Sequence, residues 1–366
     1  MTVIKQINVE DLENIARGAA FLGTGGGGDP LIGMLLAKQA ITEFGPVKVM
    51  QVDDLDDDAK IFSSAMFGAP SIMLEKGAGG DDIALAVTVL EEKLRCKADA
   101  ILPMEMGGIN SMIPIVAAAR LGLPILDADG MGRAFPELHM VTFTIGGIPA
   151  TPLSMTNEHL ETFVVETNSS QKAEQFARVI ATENGASACI SAYPMNGKQV
   201  KEYAVKGTLS LAMGIGCAIE SGRRESSPVE NLLSYLRTTP YYNQCKVLFD
   251  GKVIDIKREV TNGWSIGHCH LEAINGDQPQ FEIMFQNEYL VARQNNIVRA
   301  IVPDLICTID RETAEPIPAE RLKYGQRIKV IGTSAAPIMR TQAALNIFGP
   351  KAFGIEDEFV PIENIK

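Results

Sequence analysis

The stretch from residue 98 to residue 126 constrains the fold most. Residues 98–104 read as a buried strand, 111–121 as a helix and 123–126 as a second short strand. Ile113, Val116 and Ala117 share one face of that helix. Asn110 or Ser111 can cap its start, Pro114 falls in the first turn where an N–H is not missed, and Gly122 suits its end. Strand, helix and strand at these lengths make a βαβ unit, so both strands run parallel and end at one edge of a sheet. Charge follows both ends: Glu105 after the first, and Asp127, Asp129 and Arg133 in the run Leu126-Asp127-Ala128-Asp129-Gly130-Met131-Gly132-Arg133 after the second. Open α/β sheets bind ligands at that edge. Three carboxylates gathered there repel one another unless a metal, a cation or a retained proton relieves them; Arg133 is the local cation.

A chain of 366 residues exceeds what one core usually serves, so two domains are expected. Hydrophobic content of 46% with 21% charged residues is that of a globular protein. A formal net charge of -12 without any basic run excludes a nucleic-acid binder and suits a small neutral or cationic substrate. The opening Met1-Thr2-Val3-Ile4-Lys5-Gln6 lacks a basic segment followed by an apolar one, and no apolar run reaches the length of a membrane span. A soluble cytoplasmic protein without a membrane partner is the expectation. The six cysteines (Cys96, Cys189, Cys217, Cys245, Cys269 and Cys307) form no C-x-x-C pair and read as free thiols of a reducing compartment.

Along the chain, residues 9–22 have helical spacing and run into Gly23-Thr24-Gly25-Gly26-Gly27-Gly28-Asp29-Pro30, which a second helix at 31–42 follows. Strands are expected at 47–52 and 60–65, then Gly68-Ala69-Pro70 and a loop containing Glu75, then a helix capped by Asp81 or Asp82 and reaching residue 96. This alternation predicts a layered α/β N-terminal domain with at least one parallel βαβ unit, spanning 1–167. Asn168-Ser169-Ser170 interrupts the pattern. Beyond it, helices at 171–183, 197–221 and 231–237 precede short strands at 247–249, 252–258, 264–273, 280–285, 289–293, 300–308 and 327–331, with Asp250-Gly251 as a hairpin turn. Residues 168–366 therefore read as a β-rich α+β C-terminal domain.

The glycine run matches G-x-G-x-x-G at Gly23, Gly25 and Gly28, yet a helix precedes it and Asp53 only approximates the expected acid, so a nicotinamide or flavin site does not fit the context. No Lys-Ser or Lys-Thr follows, which excludes a Walker A loop. Gly25, Gly26, Gly27 and Gly28, with Asp29 beside them, can instead form a nest of amides for an anion or carbonyl oxygen; a tight turn explains the same residues. Glu105, Asp127 and Asp129 can divide acid and base work, or hold a divalent metal such as zinc, while capping explains each one alone. His139 can bring an imidazole to the same edge. His268 and His270 flank Cys269 and share a strand face, a weaker zinc candidate. No G-x-S-x-G elbow is present, and of the cysteines only Cys269 has a base beside it.

Five segments together resemble the S-methyl thiohydantoin desulfurase-like family, which is associated with hydantoinase and oxoprolinase proteins. They are the glycine run Gly23 to Pro30, Met104-Glu105-Met106-Gly107-Gly108-Ile109-Asn110-Ser111, Asp127 to Glu137, Phe285-Gln286-Asn287-Glu288-Tyr289 and Gly349-Pro350-Lys351-Ala352-Phe353-Gly354. The resemblance implies N- and C-terminal domains and a hydrolase acting on a hydantoin-type ring, in which water displaces an S-methyl group and methanethiol leaves. The resemblance brings no catalytic residue list; on chemical grounds Glu105, Asp127, Asp129 and His139 are the catalytic candidates and the same four the metal candidates. Gly25 to Gly28, Asp29, Asn110 and Arg133 are the substrate contacts. A homo-oligomer or a hydantoinase-like partner is compatible with this. Two other readings stand beside it: a non-catalytic accessory or ligand-binding subunit, and phosphate or nucleotide binding at the glycine run.

Overall fold

Ala100–Pro103 and Ile125–Leu126 pair in parallel around the helix Ile113–Leu121, as the apolar spacing predicts. Pro114 sits in the first turn and Gly122 closes the helix at φ 66°. The structure, a computed structural model, describes residues 3–68, 79–261, 264–274 and 280–365. The loop expected around Ala69, Pro70 and Glu75 lies outside the described residues.

The first part of the chain runs through β1 (Gln6–Ile7), α1 (Leu12–Leu22), α2 (Pro30–Phe44), β2 (Val47–Met50), β3 (Lys60–Gly68), α3 (Asp81–Leu94), β4 (Ala100–Pro103), α4 (Ile113–Leu121), β5 (Ile125–Leu126), β6 (Ala128–Asp129) and α5 (Thr142–Ile145). It continues through β7 (Leu153–Thr156), β8 (Thr162–Val165), α6 (Ser170–Glu183), β9 (Ser187–Asn196), α7 (Gly197–Tyr203), β10 (Val205–Lys206), α8 (Thr208–Arg224) and α9 (Pro228–Arg237). One mixed sheet has the order β1-β2-β5-β4-β3-β9-β7-β8, with β2, β5, β4 and β3 parallel. The central parallel strands β3 and β4 are buried nearly throughout, whereas Lys48 of the outer β2 is exposed. Strand β9 comes from beyond residue 168 and is inserted between β3 and β7.

The remainder is β11 (Cys245–Thr261), β12 (Trp264–Ala273), β13 (Phe281–Gln286), β14 (Glu288–Gln294), β15 (Ile297–Ile301), β16 (Leu305–Asp310), β17 (Arg327–Thr333) and α10 (Gln342–Phe348). These strands form an antiparallel sheet in the order β15-β14-β13-β12-β11-β17-β16, curled so that β14 approaches β16. Its own core gathers Leu271, Phe281, Ile283, Phe285, Tyr289 and Val330. The fold is therefore an α/β domain joined to a β-rich one.

Three local expectations are corrected. Asp250-Gly251 is not a turn but the middle of the long strand β11: Gly251 pairs with Ile328 on one side and Ala273 on the other, and Asp250 accepts from Arg311 Nε at 2.8 Å. Pairing on both sides outweighs local turn preference. The helix expected over 197–221 is split into α7 and α8 by β10, with Gly207 at φ 78° starting the second piece. Neither Asn110 nor Ser111 caps α4: Ser111 Oγ donates to the Gly108 carbonyl at 2.7 Å, and Asn110 is used elsewhere.

Candidate functional site

The parallel strands β3 and β4 end against a cavity of about 570 Å³. Its wall is built from Gly25 to Gly28, the end of β3, Glu105 and Asn110 beyond β4, the segment Phe135 to Leu138, Arg178 on α6, and Asn287, Glu288, Ala319 and Glu320 from the C-terminal domain. A cavity at the carboxyl ends of parallel strands is where α/β sheets place ligands.

Glu105 is 6% exposed. Its Oε1 accepts from Asn110 Nδ2 at 2.8 Å, whereas Oε2 is buried without a hydrogen-bond partner. Asn110 is itself fixed by β3, accepting from the Met66 amide at 2.7 Å and donating to the Met66 carbonyl at 3.1 Å. Burial pushes the Glu105 carboxyl well above the ordinary range; the Asn110 bond opposes this, as does the weaker influence of the Phe135 backbone, while the negative charges of Glu288 and Asp129 add to it.

The glycine run is held between the two domains. Gly25, Gly27 and Gly28 have φ of 90°, 74° and 73°. A Cβ at Gly25 would lie 2.5 Å from the Tyr289 ring, and one at Gly27 would lie 2.9 Å from the Gly107 backbone, so both positions need glycine for space as well as for backbone angle. The Tyr289 amide donates to the Thr24 carbonyl at 2.6 Å, the Ala319 amide to the Gly25 carbonyl at 2.8 Å, and the Ile109 amide to the Gly27 carbonyl at 2.9 Å. The group facing the nest is a carboxyl: a Cβ at Gly26 would sit 2.1 Å from Glu288 Oε1. Glu288 is 2% exposed, its Oε2 has no hydrogen-bond partner, and burial raises its carboxyl to about 7 against the pull of Arg133.

The other expected residues have different positions. Asp129 is fully buried behind Glu105: Oδ2 accepts from the Met106 amide at 2.8 Å, and both oxygens accept from the Gly132 amide at 3.0 Å. Burial raises it to about 7, with these amides opposing. Asp127, expected in the site, does not line the cavity. Its oxygens accept from the Ser210 amide at 2.9 Å and the Ser210 hydroxyl at 2.5 Å, fixing the first turn of α8. Asp29 caps α2 through the Leu31 amide at 3.0 Å and pairs with Arg321. Arg133, expected at the substrate, is fully buried between the domains and donates to the carbonyls of Ala134, Asp304 and Tyr289 and to Thr24 Oγ1. His139 stands outside the cavity wall; its Nδ1 lies 3.3 Å from Glu137 Oε2 without hydrogen-bond alignment. Burial lowers its imidazole.

A family model for the S-Me-THD-like N-terminal domain matches residues 10–167, and one for the S-Me-THD-like C-terminal domain matches residues 168–362. The chain belongs to the S-Me-THD-like family. Membership relates it to thiohydantoin desulfurases. The chain is also similar to the crystal structure of a protein from Chromobacterium violaceum, with TM-score 0.80 and 24% identity over 98% of this chain and 100% of that one, a likeness of fold. Comparison with curated proteins returned no similar sequence.

In this S-Me-THD-like chain, the side chain that reading for charged strand ends passes over is Glu288. The signal for it lies in the sequence: a carboxylate opening the apolar run Tyr289-Leu290-Val291-Ala292, in a position where only a buried or ligand-facing charge fits. Among the described residues no group of three or more His, Cys, Asp or Glu side chains is arranged to hold a metal. His268 and His270 lie on the outer face of β12 with their rings 6.4 Å apart, and His268 Nδ1 contacts Glu282. No helix among the described residues is long and apolar enough to cross a membrane.

Proposed function

We propose that the cavity hydrolyses an S-methyl thiohydantoin-type ring: water replaces the methylthio group at the carbon between two ring nitrogens, and methanethiol leaves. The observation that carries this reading is the Glu105 carboxyl, held at one oxygen by Asn110 and left buried and unpaired at the other. An unpaired buried oxygen costs about 1–3 kcal/mol unless a ligand partners it. A protonated carboxyl in that place donates to a ring nitrogen, and protonation there makes the adjacent carbon more open to attack. Cavity size agrees, since about 570 Å³ takes a five-membered ring with a short substituent. Family membership supports the substrate class.

The carboxyl of Glu288 against Gly26 disfavours a phosphate at the glycine run, because the anion would meet negative charge. The direct test is methanethiol release by the isolated chain from S-methyl thiohydantoins, followed with a thiol reagent. Turnover that falls about 10²–10⁴-fold in Glu105→Gln is expected. A folded wild-type chain that releases no methanethiol rejects the reading and leaves an accessory role.

A further inference from the structure

We infer that Glu288, brought to the cavity by the C-terminal domain, is the group that takes the proton from the attacking water. The inference rests on the hydrolase reading above and assigns a second catalytic residue to it. Three observations carry it.

First, Glu288 is as completely buried as Glu105, lines the same cavity, and likewise has one carboxyl oxygen without a partner. Two such oxygens on one cavity wall call for two partners: a ring nitrogen that accepts from protonated Glu105, and a water that donates to Glu288. Second, the strand carrying Glu288 is fixed at its first residues: the Tyr289 amide donates to the Thr24 carbonyl at 2.6 Å, and Arg133 Nη2 donates to the Tyr289 carbonyl at 2.9 Å. A carboxyl held by such neighbours is positioned before substrate arrives.

Third, the charges around the two carboxyls differ. All four hydrogen bonds of Arg133 go to neutral acceptors, so its charge has no hydrogen-bonded counterion. Of the acids near it, Asp304 is already paired with Arg340, and Glu288 contributes most to holding the guanidinium charged. Cys307 and Tyr242 also face the guanidinium, but burial keeps both neutral. The charges that act on Glu105 are those of the acids Glu288 and Asp129, while Glu137, Arg178 and Glu320 also line the cavity. Environments that differ in this way assign the acid to Glu105 and the base to Glu288.

The step balances. Water oxygen bonds to the ring carbon as its proton passes to the Glu288 carboxylate and Glu105 gives its proton to the ring nitrogen. The carbon–sulfur bond then breaks with its electron pair on sulfur. Methanethiolate takes the proton from Glu288, and the new hydroxyl returns one to Glu105 as the carbonyl forms, so both side chains regain their starting states.

The experiment compares wild type, Glu288→Gln and Glu288→Asp for methanethiol release across pH, with circular dichroism as the check on folding. Wild type is expected to show an acid limb in kcat/KM near 7. Glu288→Gln is expected to lose about 10²–10⁴-fold in kcat and the limb with it, while KM changes little; Glu288→Asp keeps the limb. Glu288→Gln turning over at the wild-type rate with the limb intact overturns the inference and leaves the hydrolase reading standing. A wild-type chain without turnover removes both.

Discussion

Asp129 Oδ2 accepts the backbone N–H of Met106 at 2.8 Å, and the Gly130 amide donates to the Met104 carbonyl at 3.0 Å, so Glu105 is held by backbone on both sides. Asp129→Asn turns an amide group toward N–H donors and leaves buried groups unpaired. A loss of about 1–3 kcal/mol in urea unfolding is expected, together with a fall in turnover as Glu105 shifts. Unchanged stability would mean that Asp129 does not carry these amides.

Asn110 joins β3 to Glu105 through three hydrogen bonds. Asn110→Ala removes the side-chain donor to Glu105 Oε1 and the stronger of the two bonds that favour its charged form, the other coming from the Phe135 backbone. The alkaline limb of the pH–rate profile, set by Glu105, is expected to move upward, and kcat to drop at least tenfold. A profile that superimposes on wild type rejects this.

Gly26 has a backbone that alanine can adopt, but its Cβ would fall 2.1 Å from Glu288 Oε1. Gly26→Ala is therefore expected to fold and to push the carboxyl aside. Activity should fall by about 10²-fold, the scale on which displaced catalytic groups act, with a thermal midpoint near wild type. Gly45→Ala serves as the control: unlike Gly26 it lies at a positive φ, 95°, but its Cβ meets nothing within 4 Å, so any strain there should leave turnover per folded molecule alone.

Asp127 tests the opposite case. With its carboxylate fixed on Ser210 at the start of α8, Asp127→Asn is expected to lower the urea midpoint by an amount worth about 1–2 kcal/mol. Turnover per folded molecule should stay within a factor of a few. A collapse of kcat in the folded variant would return Asp127 to the site.

Stability should fall as pH rises from about 4.5 to about 7, because native Glu288 retains a proton through that window which the unfolded chain, at the ordinary value of 4.5, has released. Above about 7 the native carboxyl ionises as well and the decline from this group ends. The effect is on the order of 3 kcal/mol for a shift of this size. Urea unfolding at pH 5 and pH 8 checks it. Glu288→Gln, neutral in both states, should flatten the slope; an unchanged slope assigns the dependence elsewhere.

The N-terminal half was readable where periodicity and termination agree. Apolar runs ending in charge located β4 and β5, and with them Glu105 and Asp129, because in a parallel unit sequence order dictates which ends meet. Asp127 sits away from the cavity for a physical reason. Regular alternation would put Asp127 on the same side as Asp129, but residue 127 is a bend between β5 and β6, and only the tertiary position of α8 decides that its carboxylate meets an amide rather than a ligand. Arg133 has another reason: an arginine near an acidic cluster looks like its counterion, yet its fork fits backbone carbonyls from both domains. Glu288 is marked by the sequence as a buried charge but not as a neighbour of Gly26, because the two lie far apart along the chain. Its approach to Gly26 depends on how two sheets dock, for which no local spacing is a sign. Likewise the turn-like Asp250-Gly251 gave no hint that β12 and β17 would flank it.

The insertion of β9 between β3 and β7 has a consequence for biogenesis. As the polypeptide leaves the ribosome, the apolar edge of β3 stays unsatisfied until residues 187–196 have emerged, and the pocket lacks a wall until Ala319 has followed. Nascent chains of this protein should therefore need shelter by chaperones for most of translation, and truncations upstream of residue 187 should aggregate rather than yield a small folded domain.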